Sequence, residues 1–117
     1  MGLRCVIVDD SEEFLASATR LLESEGIEVV GSATSSAHAL ELVQALKPDV
    51  ALVDVQLGDE DGAALAYELE VRVPTTRAIL ISAYDLDDLA DLVTADHEVG
   101  FLPKGALGAA AIEGLLG

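Results

Sequence analysis

Short apolar runs and longer amphipathic stretches alternate along the chain. Residues 3–8, 27–30, 50–54, 78–81 and 100–103 are the short runs, rich in Val, Ile and Leu and bounded by Asp, Gly, Ser or Pro. Runs of this kind suit strands buried on both faces, as in a parallel sheet. Between them, apolar residues recur every three or four positions, the spacing of one helix face. Residues 11–25 place Phe14, Leu15, Ala18, Leu21 and Leu22 in that pattern. Residues 62–71 do so with Leu65, Ala66 and Leu69, and residues 86–95 with Leu86, Leu89, Ala90 and Val93. Two more helices are expected over 36–46, closed by Pro48, and over 107–116. Asp10 with Glu13 three residues on predicts a capping box at the first helix, and Gly26 its stop. The second strand is expected to end by Ala33.

Five strand–helix units in strict alternation define an α/β fold. The expected architecture is a doubly wound, five-stranded parallel sheet with helices on both faces and right-handed crossovers. With 117 residues the chain is long enough for one domain with a real core, expected to span residues 1–117.

Composition narrows the function classes. The chain is 51% hydrophobic but only 3% aromatic, so its core is built from Leu, Val, Ile and Ala. Six Lys and Arg stand against 22 Asp and Glu, a net charge of −16. Such a domain is repelled by DNA, RNA and anionic membrane, and its natural partners are basic protein surfaces and divalent cations. The single cysteine, Cys5, excludes an internal disulfide and a multi-cysteine metal site, which fits a reducing compartment. In a buried strand it is expected to act as a small core hydrophobe. No apolar run approaches the ~20 residues of a membrane span, and the amino-terminal stretch lacks the pattern of a signal peptide. His38 and His97 lack ligand spacing and are expected on exposed helix or loop positions.

The chemistry collects at the strand ends. Strand one ends at Asp9-Asp10, strand three at Asp54, strand four at Ser82 and strand five at Lys104. A parallel sheet brings all these ends to one edge, where open α/β sheets bind ligands. Clustered carboxylates raise one another's pKa unless a cation intervenes. Hard oxygen ligands suit Mg²⁺, which takes one or two carboxylates and keeps room for phosphate oxygens. A lysine adds fixed positive charge and a hydroxyl adds a donor. Together they are suited to stabilising a phosphoryl group that a carboxylate attacks.

Asp9-Asp10, Asp54, Ser82-Ala83 and Lys104, at the ends of strands one, three, four and five, resemble the receiver domain of two-component response regulators. The segment from Asp54 to Gly62 is similar to the family's post-acceptor loop, closing glycine included, and the resemblance covers the whole chain. It implies a flavodoxin-like strand order of 2-1-3-4-5, as in chemotaxis regulators. It implies that Asp54 is the phosphoacceptor, and that Asp10, Asp54 and the backbone carbonyl of Gln56 ligate Mg²⁺, with Asp9 acting mainly through metal-bound water. Lys104 and Ser82 would each contact a phosphoryl oxygen. Phe101 suits either a plain core position or an aromatic that swings inward when Ser82 moves. The implied function is a phosphorylation-dependent signalling switch rather than an enzyme. A histidine kinase or phosphotransfer protein would donate the phosphoryl group. Output would pass to a basic protein partner or to a domain absent from this chain, in the cytoplasm, without nucleic acid or membrane contact by the domain itself.

Some positions depart from the family pattern. Gly58 stands where proline is common four residues after the acceptor, which predicts a more mobile loop. The order Pro103-Lys104-Gly105 replaces the common Lys-Pro, so no cis proline is expected there. Gln56 and Tyr84 occupy positions that tune phosphoryl lifetime in the family, and Tyr84 is expected to shield the phosphoryl group from water. Gln56 also stands where Mg²⁺-dependent aspartyl-phosphate phosphohydrolases carry a second, proton-donating acid, which weighs against turnover of phosphate esters. A third reading, a receiver fold that has lost its switch, is opposed by the intact acids, Ser82 and Lys104. From Ala78 onward Lys104 is the only Lys or Arg, while Asp85, Asp87, Asp88, Asp91, Asp96 and Glu98 surround the fourth helix. A symmetric dimer held by charge pairs across that face is therefore not expected.

Overall fold

The computed structural model describes residues 2–83 and 100–116. The strands β1 (Arg4–Val8), β2 (Glu28–Ala33), β3 (Val50–Asp54), β6 (Arg77–Ser82) and β7 (Gly100–Pro103) form one parallel sheet in the order β2-β1-β3-β6-β7. With the short hairpin β4 (Gln56–Leu57) and β5 (Glu60–Asp61) set aside, this is the expected order 2-1-3-4-5. The helix expected over 86–95, Tyr84, His97 and the acidic residues from Asp85 to Glu98 lie outside the described residues.

Strand parity divides the core into two halves. On one face Cys5, Ile7, Leu52, Ile79 and Ile81 pack with Leu15, Ala18 and Leu22 of helix α1 (Glu12–Ser24) and with Ile112 of the final helix (Ala109–Leu116). On the other face Val6, Val8, Ala51, Val53 and Leu80 pack with Ala39 and Val43 of α2 (Ser36–Leu46) and with Leu65, Ala66 and Leu69 of α3 (Gly62–Arg72). All five residues of β3 are buried, because a central strand has helices above and below it. Truncating Leu52 here belongs to the large-to-small class that costs ~2–5 kcal/mol.

Helix ends refine the sequence reading. Ser11, not Asp10, is the N-cap of α1: its side chain accepts from the Phe14 N–H at 3.2 Å. Asp9 Oδ1 accepts the Ser11 N–H at 2.9 Å, which turns the chain so that Ser11 is the last non-helical residue. Asp61 caps α3 through the N–H groups of Ala63 and Ala64. Lys47 ends α2 in the left-handed region at φ 45°, just before Pro48. The final helix begins two residues later than expected, because Lys104–Ala106 form a 3₁₀ turn and Leu107 is extended. Its first turn is capped from a distance: Glu25 Oε1 accepts the Ala109 N–H at 2.6 Å, tying the end of α1 to the start of the final helix.

Residues 56–61 differ most from the expected loop. Gly58 does not leave this segment unpaired: at φ 61° it supplies the positive φ a two-residue hairpin turn needs, and Gln56 pairs with Asp61 and Leu57 with Glu60. Glu60 Oε1 then accepts the Ser36 N–H at 3.0 Å, fastening the hairpin to the first turn of α2.

Candidate functional site

Each polar residue of the site is placed by a strand end. Asp9 follows β1 directly, and its own N–H is bonded to the Ala33 carbonyl at the end of β2. Asp54 ends β3, Ser82 ends β6, and Lys104 follows β7 as the first residue of the 3₁₀ turn. These ends meet as the parallel topology requires. A cleft of about 280 Å³ is lined by Asp10, Asp54, Gln56, Gly58, Ser82, Ala83 and Lys104, with Asp9 fully buried beside it. A wider groove of about 590 Å³ between α1 and α2, lined in part by Arg20 and His38, shares none of these residues.

Lys104 is the positive centre. Its Nζ lies 2.6 Å from Asp9 Oδ2 and 3.5 Å from Asp54 Oδ2. The contact with Asp9 is ionic: among the described residues no hydrogen bond of acceptable direction reaches that oxygen. Asp54 Oδ1 accepts the Gln56 N–H at 3.2 Å, which ties this side chain to the hairpin after it. Asp54 is 8% exposed, and burial pushes its carboxyl above the usual carboxylate range. The Asp9 carboxylate adds to that rise and Asp10 adds a smaller part, against the opposing pull of Lys104 and the Gln56 N–H.

Asp9, Asp10 and Asp54 each bring a carboxylate oxygen within 4.8 Å of the others. Three acids against one ammonium leave the cluster anionic, and their oxygens are the hard donors that Mg²⁺ prefers. The donor set therefore fits a divalent cation. Asp10 is exposed and carries no capping role, so its carboxylate is available to the cleft.

Among the described residues, Asp9, Asp10, Asp54, Gln56, Ser82 and Lys104 meet at this edge, with Phe101 one step removed. Gln56 is exposed at the cleft and Ser82 is buried at its wall. Phe101 pairs with Leu80 in the register that pairs Pro103 with Ser82. Alternation therefore puts Phe101 and Ser82 on the same sheet face, where Phe101 is half-buried against the α2–α3 half of the core. His38 is exposed and Cys5 fully buried, as expected. Burial pushes the Cys5 thiol up to about 12, so it carries no reactive thiolate at neutral pH.

One contributor escapes the sequence. The Phe14 ring, expected only as part of the α1 stripe, lies under Lys104, with Nζ 4.2 Å from the ring centroid. Ninety residues separate the two, and no spacing rule links them.

A doubly wound sheet whose carboxyl edge gathers three aspartates, a serine and a lysine is the architecture of a signalling receiver. The chain belongs to the response regulator receiver domain family, whose sequence profile matches residues 5–111. Among curated relatives it is 38% identical over 103 residues to the probable transcriptional regulatory protein NarL of Mycobacterium tuberculosis, covering 87% of this chain and 48% of that protein. It is 36% identical over 108 residues to the DNA-binding transcriptional activator DevR/DosR of the same organism, covering 91% and 49%. The chain thus spans about half the length of these relatives. Among solved structures, the signal receiver domain of the putative response regulator NarL from Mycobacterium tuberculosis superposes with a TM-score of 0.77 at 34% identity, covering 99% of this chain and 98% of that one. A response regulator from Burkholderia pseudomallei, solved with a phosphorylated aspartic acid, a calcium ion and citrate, gives 0.79 at 26% identity, covering 97% and 66%.

Proposed function

We propose that residues 1–117 act as one phosphorylation-dependent switch, with Asp54 the acceptor of a phosphoryl group from a histidine kinase or phosphotransfer protein. The observation that carries this reading is the convergence of Asp54 Oδ2 and Lys104 Nζ at 3.5 Å, within a three-carboxylate cluster and beside Ser82. In the transfer, an Asp54 carboxylate oxygen forms the new bond to phosphorus as the donor's phosphorus–nitrogen bond breaks. Asp9, Asp10, Asp54 and the Gln56 carbonyl would hold Mg²⁺, which when bound offsets negative charge on the transferring phosphoryl oxygens. Lys104 supplies the second, fixed positive charge from within the protein. Ser82 donates its hydroxyl to another phosphoryl oxygen. The added charge of about −1.5 to −2 then shifts a two-state equilibrium, with Ser82 and Phe101 as the moving parts.

The aspartyl phosphate and the cation in the Burkholderia pseudomallei relative support this assignment. Gln56, which cannot donate a proton as an acid would, favours a stored phosphoryl group over turnover of phosphate esters. The strong negative charge directs output to a basic protein surface or to a separate output domain, away from nucleic acid and membrane, in the cytoplasm. Among the described residues no helix is long and apolar enough to cross a membrane.

Incubation with Mg²⁺ and acetyl phosphate, followed by intact mass, tests the reading. A gain of about 80 Da for one phosphoryl group is expected, absent in Asp54→Ala. No gain in the wild type would leave an interaction module without a switch.

A further inference from the structure

Lys104 has to stay put while everything around it changes charge. Its stem has four rotatable bonds, and its ammonium is a compact point charge without a preferred direction. Among the described residues its ion-pair partners are the carboxylates of Asp9 and Asp54. Both belong to the cluster that would take up a cation, and Asp54 would become esterified. The Phe14 ring also lies against it, 4.2 Å from Nζ to centroid, and neither event alters the ring. A ring face attracts an ammonium through its quadrupole, most strongly where water is scarce. Lys104 is 20% exposed at its side chain, so the contact is partly desolvated.

Phe14 is itself held in place. Its N–H is bonded to the Ser11 hydroxyl oxygen, the Ser11 N–H is bonded to Asp9 Oδ1, and its ring packs against the α1 side of the core. One short segment, residues 9–14, therefore fixes both the anion and the ring that flank the ammonium.

We propose that Phe14 is a positioning residue whose ring face holds the Lys104 ammonium at the acceptor when Asp9 and Asp54 are engaged elsewhere. The inference rests on the assignment of Lys104 to the transferred phosphoryl group. It differs from ordinary packing in depending on the electrons of the ring rather than on its volume.

Successive fluorination of Phe14 separates the two, because it drains the ring face with little change in size. The series is Phe14 with one, two and three ring fluorines, with Phe14→Trp and Phe14→Leu as limits. Two readings are taken. In metal-free protein, the ring-current shift of the Lys104 ε-methylene protons should shrink stepwise with fluorination and vanish in Phe14→Leu. With Mg²⁺ and acetyl phosphate, the rate of phosphoryl uptake should fall stepwise, to about two- to fivefold below wild type at three fluorines, while Phe14→Trp keeps the wild-type rate. Unchanged methylene shifts and rates across the fluorinated series, with only Phe14→Leu affected, would reduce Phe14 to a packing residue and overturn the proposal. A graded methylene shift across the series, with no phosphoryl uptake even by the wild type, would overturn the underlying assignment instead.

Discussion

In the folded protein the surroundings of Asp54 disfavour its ionised form. The side chain is buried, its pKa is raised chiefly by that burial, and the Asp9 carboxylate adds to the rise. A carboxyl whose folded pKa lies above its unfolded value contributes stability below the unfolded pKa and loses it as pH rises through the folded one. Asp54→Asn should therefore be more stable than wild type at pH 7 in metal-free buffer. The gain should be on the order of 1 kcal/mol, the ordinary scale of a single substitution with the sign reversed. It should shrink as pH falls through the raised pKa. Urea unfolding at several pH values checks this, and a gain that grew towards acid would refute it. The same residue shows how far sequence reading reaches at this scale. Asp9, Asp10, Asp54, Ser82 and Lys104 were legible because each ends a strand, and strand ends share an edge. Phe14 was not, since its partner is chosen by the packing of α1 over the sheet, and an apolar stripe looks the same whether or not a cation rests on it.

The tightest constraint on any element lies where the hairpin passes into α3. A Cβ on Gly62 would stand 1.7 Å from the Asp54 carbonyl oxygen, so any side chain must push on the backbone of Asp54 itself. Overpacking commonly costs ~1–3 kcal/mol, and here the obstacle is main chain rather than a yielding side chain. Gly62→Ala should lower the urea midpoint by an amount at the upper end of that range. It should also slow phosphoryl uptake on Asp54, which intact mass over time would register. A fully active, fully stable Gly62→Ala would show that the backbone yields at little cost. The hairpin upstream was hidden in the sequence: two-residue strands have no periodicity, and Gly58 reads equally as a loosened loop or as a positive-φ turn. Neighbouring cap formers explain the other discrepancy. Asp10 and Ser11 both suit an N-cap, and the choice fell to Ser11 through a bond from its N–H to Asp9 Oδ1.

Charge is distributed unevenly over the whole molecule. Arg4 opens β1, Arg77 opens β6, Lys47 follows α2 and Arg72 ends α3, so four of the six cations lie at the edge opposite the site. The site edge keeps Lys104 alone against Asp9, Asp10 and Asp54. Self-repulsion in a chain of charge −16 opposes compaction, and salt screens it. The melting temperature should climb with NaCl. At matched ionic strength millimolar Mg²⁺ should add about 2–6 °C that Asp10→Asn removes. Equal melting in the two salts would mean that the carboxylates hold no cation. At this scale the sequence was most informative, because five buried runs separated by helical periodicity admit few topologies. One long-range link it did not reveal is the hydrogen bond from the Ala109 N–H to Glu25. That link bears on the order of folding. Eight residues are too few for a helix to persist alone in water, so the final helix has to wait for α1 and its terminal carboxylate. A nascent chain would assemble its central strands first, with one face of Ile79 and Ile81 still open. Closure of that face comes late, and hydrogen exchange should find it among the first parts of the domain to reopen.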